Sequence, residues 1–122
     1  MIYYLRDAGR VGERLRGLAP RDIGIPAVVR YELHAGALAS KRSERQRRFL
    51  AGLLRDARSL PFDDLAAEAG AEVRARLESR GIMIGQMDAL IAGTAIAHQA
   101  TLVTHNTAEF KRVPGLKITD WY

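Results

Sequence analysis

Three acidic residues sit in unusual surroundings, and two of them, Glu32 and Asp88, share helical faces with small and apolar residues, where an ionised carboxylate is costly unless it is hydrogen-bonded or holds a cation. Glu32 lies in Ala27-Val28-Val29-Arg30-Tyr31-Glu32-Leu33. At helical spacing Val28, Glu32 and Gly36 share one face. The alternatives are a rim position or a partner for Arg30, but a solvated Glu more often has polar neighbours, which favours a site role. Asp88 lies in Gly85-Gln86-Met87-Asp88-Ala89-Leu90-Ile91-Ala92 and shares a face with Ile91, Ala92 and Ala95. Its first-turn position also suits a cap or a helix-dipole partner, and the residues alone leave both readings open. Glu109 follows Thr101-Leu102-Val103-Thr104 through His105-Asn106-Thr107-Ala108. Thr104 and Asn106 offer short polar groups there, although ordinary turn chemistry accounts for Asn106 equally well. Taken together, the carboxylates suit Mg²⁺, which prefers oxygen ligands, keeps several waters and needs few acids. Such an ion activates water and stabilises in-line attack on a phosphodiester.

Other chemistries find less support. His34, His98 and His105 show no metal-ligand spacing, and neither a Gly-rich phosphate loop nor a nucleophile elbow is present. The chain has no cysteine, which excludes disulfides, thiolate-bound zinc, iron–sulfur clusters and a thiol nucleophile. The formal net charge is +5, with 16 Arg against 3 Lys. Arginine presents a planar fork for phosphate or carboxylate. The balance therefore points to a polyanionic substrate, an acidic partner or simply a soluble surface, and composition does not choose among them. The densest basic run, Lys41-Arg42-Ser43-Glu44-Arg45-Gln46-Arg47-Arg48, reads first as a solvated helix start. Its alternative is a contact through Arg42, Arg45 and Arg48 to RNA phosphates or an acidic peptide.

The elements that must position these residues are short. With 122 residues, 48% hydrophobic and 27% charged, the chain suits one domain over 1–122. Amphipathic patterning predicts helices over 11–18, 27–38, 43–57, 63–80 and 86–98. Short strands are expected at 22–25, 59–62, 101–104 and 116–119, with Pro26 in the first turn of the helix that follows it. Strands alternating with helices imply an α/β fold: a short parallel sheet with helices on both faces. Sites in such sheets lie outside the carboxyl ends of the strands. The opening Met1-Ile2-Tyr3-Tyr4-Leu5-Arg6-Asp7 is too short and too quickly charged for a signal peptide. The weakly polar stretch 89–97 falls far below the ~20 residues that span a bilayer. A cytoplasmic protein without membrane contact is expected.

At this point a resemblance emerges. Pro26-Ala27-Val28-Val29-Arg30-Tyr31-Glu32-Leu33-His34-Ala35-Gly36-Ala37 resembles the Glu-bearing motif of PIN-domain toxins of the VapC type. Ile84-Gly85-Gln86-Met87-Asp88-Ala89-Leu90-Ile91-Ala92 is similar to their central Asp motif. Thr101 to Phe110 resembles their third motif, and Val113 to Trp121 their usual ending. The motifs run in family order over nearly the whole chain. The resemblance implies a PIN-like fold and the toxin of a type II toxin–antitoxin pair. Such toxins are endoribonucleases dependent on Mg²⁺ or Mn²⁺, commonly cut tRNA or rRNA, usually form homodimers and are silenced by a cognate antitoxin. By position, Glu32, Asp88 and Glu109 would be catalytic metal-site acids, with Thr104 and Asn106 as supporting polar groups. The family's opening strand ends in Leu-Asp-Thr-Asn and is central in the sheet, and that Asp is a metal ligand. Here Ile2-Tyr3-Tyr4-Leu5-Arg6 resembles the helix after it, so the central strand and its Asp are expected to be missing, the start having been trimmed or misplaced. Asp7 and Glu13 are not obvious replacements. A truncated toxin that binds its antitoxin without cleaving RNA is the alternative reading.

Overall fold

Strands that alternate with helices cannot be joined by hairpins, so each regains the sheet by a crossover and the pairing is parallel. The computed structural model describes residues 2–3, 22–39, 43–104 and 106–120, and its sheet has this form. The strands are β1 (Ile2–Tyr3), β2 (Gly24–Pro26), β3 (Arg58–Leu60), β4 (Leu102–Val103) and β5 (Ile118–Thr119). They are arranged β3-β2-β1-β4-β5, and every pairing is parallel. The chain steps outward from β1 to β2 and β3, then crosses to β4 and β5 on the other side. The reversal therefore falls between β1 and β4, the position beyond whose carboxyl ends open α/β sheets bind ligands.

The centre of the sheet corrects one expectation. Ile2–Tyr3 is not a helical remnant beside a lost strand but the central strand itself: Ile2 pairs with Gly24 on one side and Leu102 on the other, and Tyr3 with Val103. The physical reason is pairing. An empty slot between β2 and β4 would leave two inner edges of buried N–H and C=O groups without partners. A β-branched residue followed by an aromatic one also suits a pleated central position. The strand itself contains no acid. The helix expected over 11–18, together with Asp7 and Glu13, lies outside the described residues.

Local signals set most helix ends. Pro26 closes β2, so helix α1 (Ala27–Ala39) starts one residue after it and the proline is not in its first turn. Helix α2 (Glu44–Asp56) opens with a capping box: the Gln46 N–H donates to Ser43 Oγ and the Ser43 N–H to Gln46 Oε1, both at 3.2 Å. Helix α3 (Asp64–Ser79) is capped by Asp63, whose Oδ1 accepts from the Ala66 N–H at 3.0 Å. It ends where Gly81 takes φ +73° and the Gly81 and Ile82 N–H groups return to the Glu78 and Leu77 carbonyls. Helix α4 (Gln86–Ala97) and the short α5 (Thr107–Phe110) complete the set.

The core joins strand residues Ile25, Leu102 and Val103 to Val29 of α1, Leu77 of α3 and Ile91 of α4. Helices α3 and α4 approach unusually closely. A β-carbon on Gly93 would lie 2.5 Å from the Gly70 nitrogen and 2.6 Å from the Ala66 carbonyl oxygen. Two glycines thus let the backbones touch and fix where α4 runs.

Candidate active site

Glu32 is placed by a helix that leaves directly from the carboxyl end of β2. Buried Val29 and Leu33 hold α1 against the core, and Val28, Glu32 and Gly36 are each half-buried along one side. The Oε1 atom of Glu32 is fully buried. Two residues earlier, Arg30 ties α1 to the end of α2. Its Nη1 donates to the Leu54 carbonyl at 2.8 Å and its Nη2 to the Ala57 carbonyl at 3.0 Å.

Asp88 stands in the first turn of α4, whose face Ile91, Ala92 and Ala95 is completely buried. Asp88 itself is half-buried, and its carboxylate turns back over the helix start, with Oδ2 3.6 Å from where a β-carbon of Gly85 would lie. Gly85 is the N-cap and has no side chain to serve the first N–H groups, so a carboxylate here also complements the helix dipole. Helices α1 and α4 pack together, which brings the elements bearing Glu32 and Asp88 side by side.

Beyond β4, Thr104 is fully buried and shapes the next turn. Its N–H donates to the Thr119 carbonyl at 3.0 Å, and its Oγ1 accepts from the Asn106 N–H at 3.0 Å. Asn106 is exposed and caps α5 without a side-chain hydrogen bond. Glu109 is half-buried, and its Oε2 lies 2.7 Å from Nη2 of Arg112. The Arg112 Nε also donates to the Glu109 carbonyl at 3.2 Å, and Nη2 makes a longer contact of 3.5 Å with the carbonyl of Met83. Sequence reading did not single out Arg112. The signal available was its i,i+3 spacing from Glu109.

The donors have the right chemistry for a hard divalent cation, being oxygen throughout, with no thiolate and no His pair. The structure brings the helices of Glu32 and Asp88 into contact. It does not gather Glu32, Asp88 and Glu109 into one group: among the described residues, no three His, Asp or Glu side chains form a metal-holding cluster. Mg²⁺ is usually held by one or two carboxylates together with water, and Glu32 and Asp88 have that donor chemistry on two helices that touch.

The basic run and the histidines lie apart from these acids in character. Arg45 and Arg48 are exposed on α2, with Arg48 Nε 3.4 Å from Glu44, while Arg42 lies outside the described residues. At the other end of α2, a hydrogen bond from Arg55 holds the Asp56 carboxyl below its ordinary range. His98 caps α4 and its Nε2 lies 3.5 Å from the Pro61 carbonyl, His34 is exposed, and His105 is outside the described residues. Among the described residues, no helix is long and apolar enough to cross a membrane.

Comparison with known proteins agrees with the fold. The PIN domain family model matches residues 1–116. Ribonuclease VapC2 of Rickettsia felis is 39% identical over 99 residues, 81% of this chain and 74% of its own length. The tRNA(fMet)-specific endonuclease VapC of Salmonella typhimurium is 35% identical over 97 residues, 80% of this chain and 74% of its own. Among solved structures, VapBC2 from Rickettsia felis bound to a DNA fragment from their promoter superposes with a TM-score of 0.82 at 34% identity, covering 100% of both chains. The chain belongs to the PIN-domain family, in its VapC branch.

Proposed function

We propose that this chain is the toxin of a type II toxin–antitoxin pair, an endoribonuclease that hydrolyses RNA phosphodiester bonds at a site containing Glu32 and Asp88. The observation that carries the reading is a pair of half-buried acids on two packed helices, α1 and α4, one with a fully buried carboxylate oxygen and the other on an otherwise buried apolar face. Glu32 and Asp88 would hold Mg²⁺ or Mn²⁺; Glu109, which the family resemblance makes a further acid of the site, is paired with Arg112 and is not gathered with them into one group of three. A divalent ion held there would supply an activated water and charge stabilisation at the scissile phosphate. Thr104 fixes the turn that carries Asn106 toward α5. Exposed Arg45 and Arg48, with Arg42 beside them in sequence, hold the RNA backbone. The Salmonella relative named for tRNA(fMet) supports a tRNA-class substrate. The solved VapBC neighbours support a cognate antitoxin as partner. A homodimer and a cytoplasmic location complete the reading.

The test is RNA cleavage by the full chain with Mg²⁺ or EDTA, beside Asp88→Asn. The expected outcome is metal-dependent cleavage that falls at least about a hundredfold in the variant, whose circular dichroism stays unchanged. Cleavage that survives EDTA or Asp88→Asn refutes the site. Growth arrest on expression, relieved by the co-expressed neighbouring gene, is expected of the toxin.

One observation favours a second reading, a degenerate toxin that binds its antitoxin without nuclease activity: the central strand Ile2–Tyr3 contains no acid, where the family resemblance implies a metal-ligand Asp. Tight antitoxin binding with no cleavage under any divalent metal would select it.

A further inference from the structure

Arg112 joins two parts of the candidate site that are far apart in sequence. On one side it engages Glu109 twice, at the carboxylate (2.7 Å) and at the backbone carbonyl (3.2 Å). On the other it reaches the carbonyl of Met83, 29 residues away, in the segment that runs through Ile84 and Gly85 into α4. That segment sets the start of α4, and the Asp88 carboxylate lies back over it. One planar guanidinium thus spans the segment bearing Glu109 and the segment placing Asp88. The group is only 30% exposed, so the ion pair is less screened than a surface pair.

We propose that Arg112 is a positioning residue that sets the Asp88 and Glu109 carboxylates relative to each other for cation binding. This rests on the proposed metal-dependent function. Arg112 carries positive charge and cannot itself ligate a cation. It acts by occupying one oxygen of Glu109 and by anchoring the Met83 carbonyl. The fork is essential to this, because a guanidinium offers several donors in a fixed plane where an ammonium is a compact point charge. Simple charge repulsion makes the opposite prediction: removing a cation next to the acids would tighten Mg²⁺ binding.

The test measures Mg²⁺ binding by calorimetry, with no RNA present, for the wild type, Arg112→Gln, Arg112→Lys and Asp88→Asn. Residues that orient metal ligands typically change affinity by roughly ten- to a hundredfold when replaced, and Arg112→Gln is expected to weaken Mg²⁺ binding by about tenfold or more. Arg112→Lys keeps the charge but lacks the fork, so it is expected to recover only part of the loss. Where Arg112→Gln fails to fold, Arg112→Lys alone carries the test. A purely structural role would lower thermal stability while leaving the Mg²⁺ affinity of the folded variants unchanged, and that result overturns the inference, as does tighter binding. If the wild type cleaves RNA and binds Mg²⁺ but both variants match its affinity, the inference fails and the functional reading stands. If the wild type binds no Mg²⁺, the functional reading fails and takes the inference with it.

Discussion

Arg30 shows how a residue near the site serves the fold. Its two terminal nitrogens take the carbonyls of Leu54 and Ala57, acceptors left over at the end of α2. Hydrogen bonds from a charged group contribute more than neutral ones, so Arg30→Met is expected to destabilise by about 1.5–3 kcal/mol. A lower urea midpoint with unchanged m-value would show it, and an unchanged midpoint would mean that water replaces the guanidinium without loss. The placement of Glu32 and Asp88 was legible at this scale. Helical period alone put them beside Gly36 and Ile91, and the structure finds those faces half-buried and buried. Whether Asp88 serves a cation or the helix dipole was not legible, since the same first-turn position satisfies both. Arg112 was also hidden. Its contact with Met83 crosses a separation of 29 residues, and no local spacing encodes that.

Elements with caps were legible to within a residue or so because the signal lies in the sequence that makes them. Ser43 with Gln46, Asp63, and Gly81 each satisfy end groups of a helix through their own chemistry. The strand β1 has no such signal: two residues show no period, and only pairing on both sides defines them. Helix packing was likewise not legible, since a glycine in a helix looks the same whether it faces solvent or a neighbour. Gly93 and Gly52 separate the two cases. A β-carbon at Gly93 would meet backbone atoms at 2.5–2.6 Å, which cannot yield without moving α3 away from α4. A β-carbon at Gly52 would meet only the Arg55 Nη2 end, at 3.9 Å. Gly93→Ala is therefore expected to cost about 1–3 kcal/mol or more through overpacking. Gly52→Ala should stabilise by about 0.5–1 kcal/mol, because alanine loses less freedom in a helix interior. Opposite shifts in melting temperature would confirm the packing, and a neutral Gly93→Ala would show that the two helices are not so close.

At the scale of the whole molecule, the sheet depends on its middle. Strands β2 and β3 lie on one side of β1 and β4 and β5 on the other, so the ladder between the halves passes through residues 2 and 3. The candidate site depends on the same junction, because α1 with Glu32 follows β2 while Thr104 and α5 follow β4. A central strand has a neighbour on each side, so any N–H within it faces a partner, and proline there removes a ladder bond. Tyr3→Pro is expected to lose about 3 kcal/mol or more relative to Tyr3→Ala, which accounts for the lost side chain. The edge strand β3 provides the contrast. The Arg58 N–H donates to the Ile23 carbonyl, so in the alternating pattern of a strand the Ser59 N–H points away from β2. Ser59→Pro should therefore cost far less than Tyr3→Pro. Urea unfolding followed by circular dichroism checks the order. Equal midpoints for Tyr3→Pro and Tyr3→Ala would mean that the Tyr3 N–H takes no part in the ladder. A large gap between them, with Ser59→Pro close to the wild type, would establish that this short strand holds the two halves of the site in one sheet.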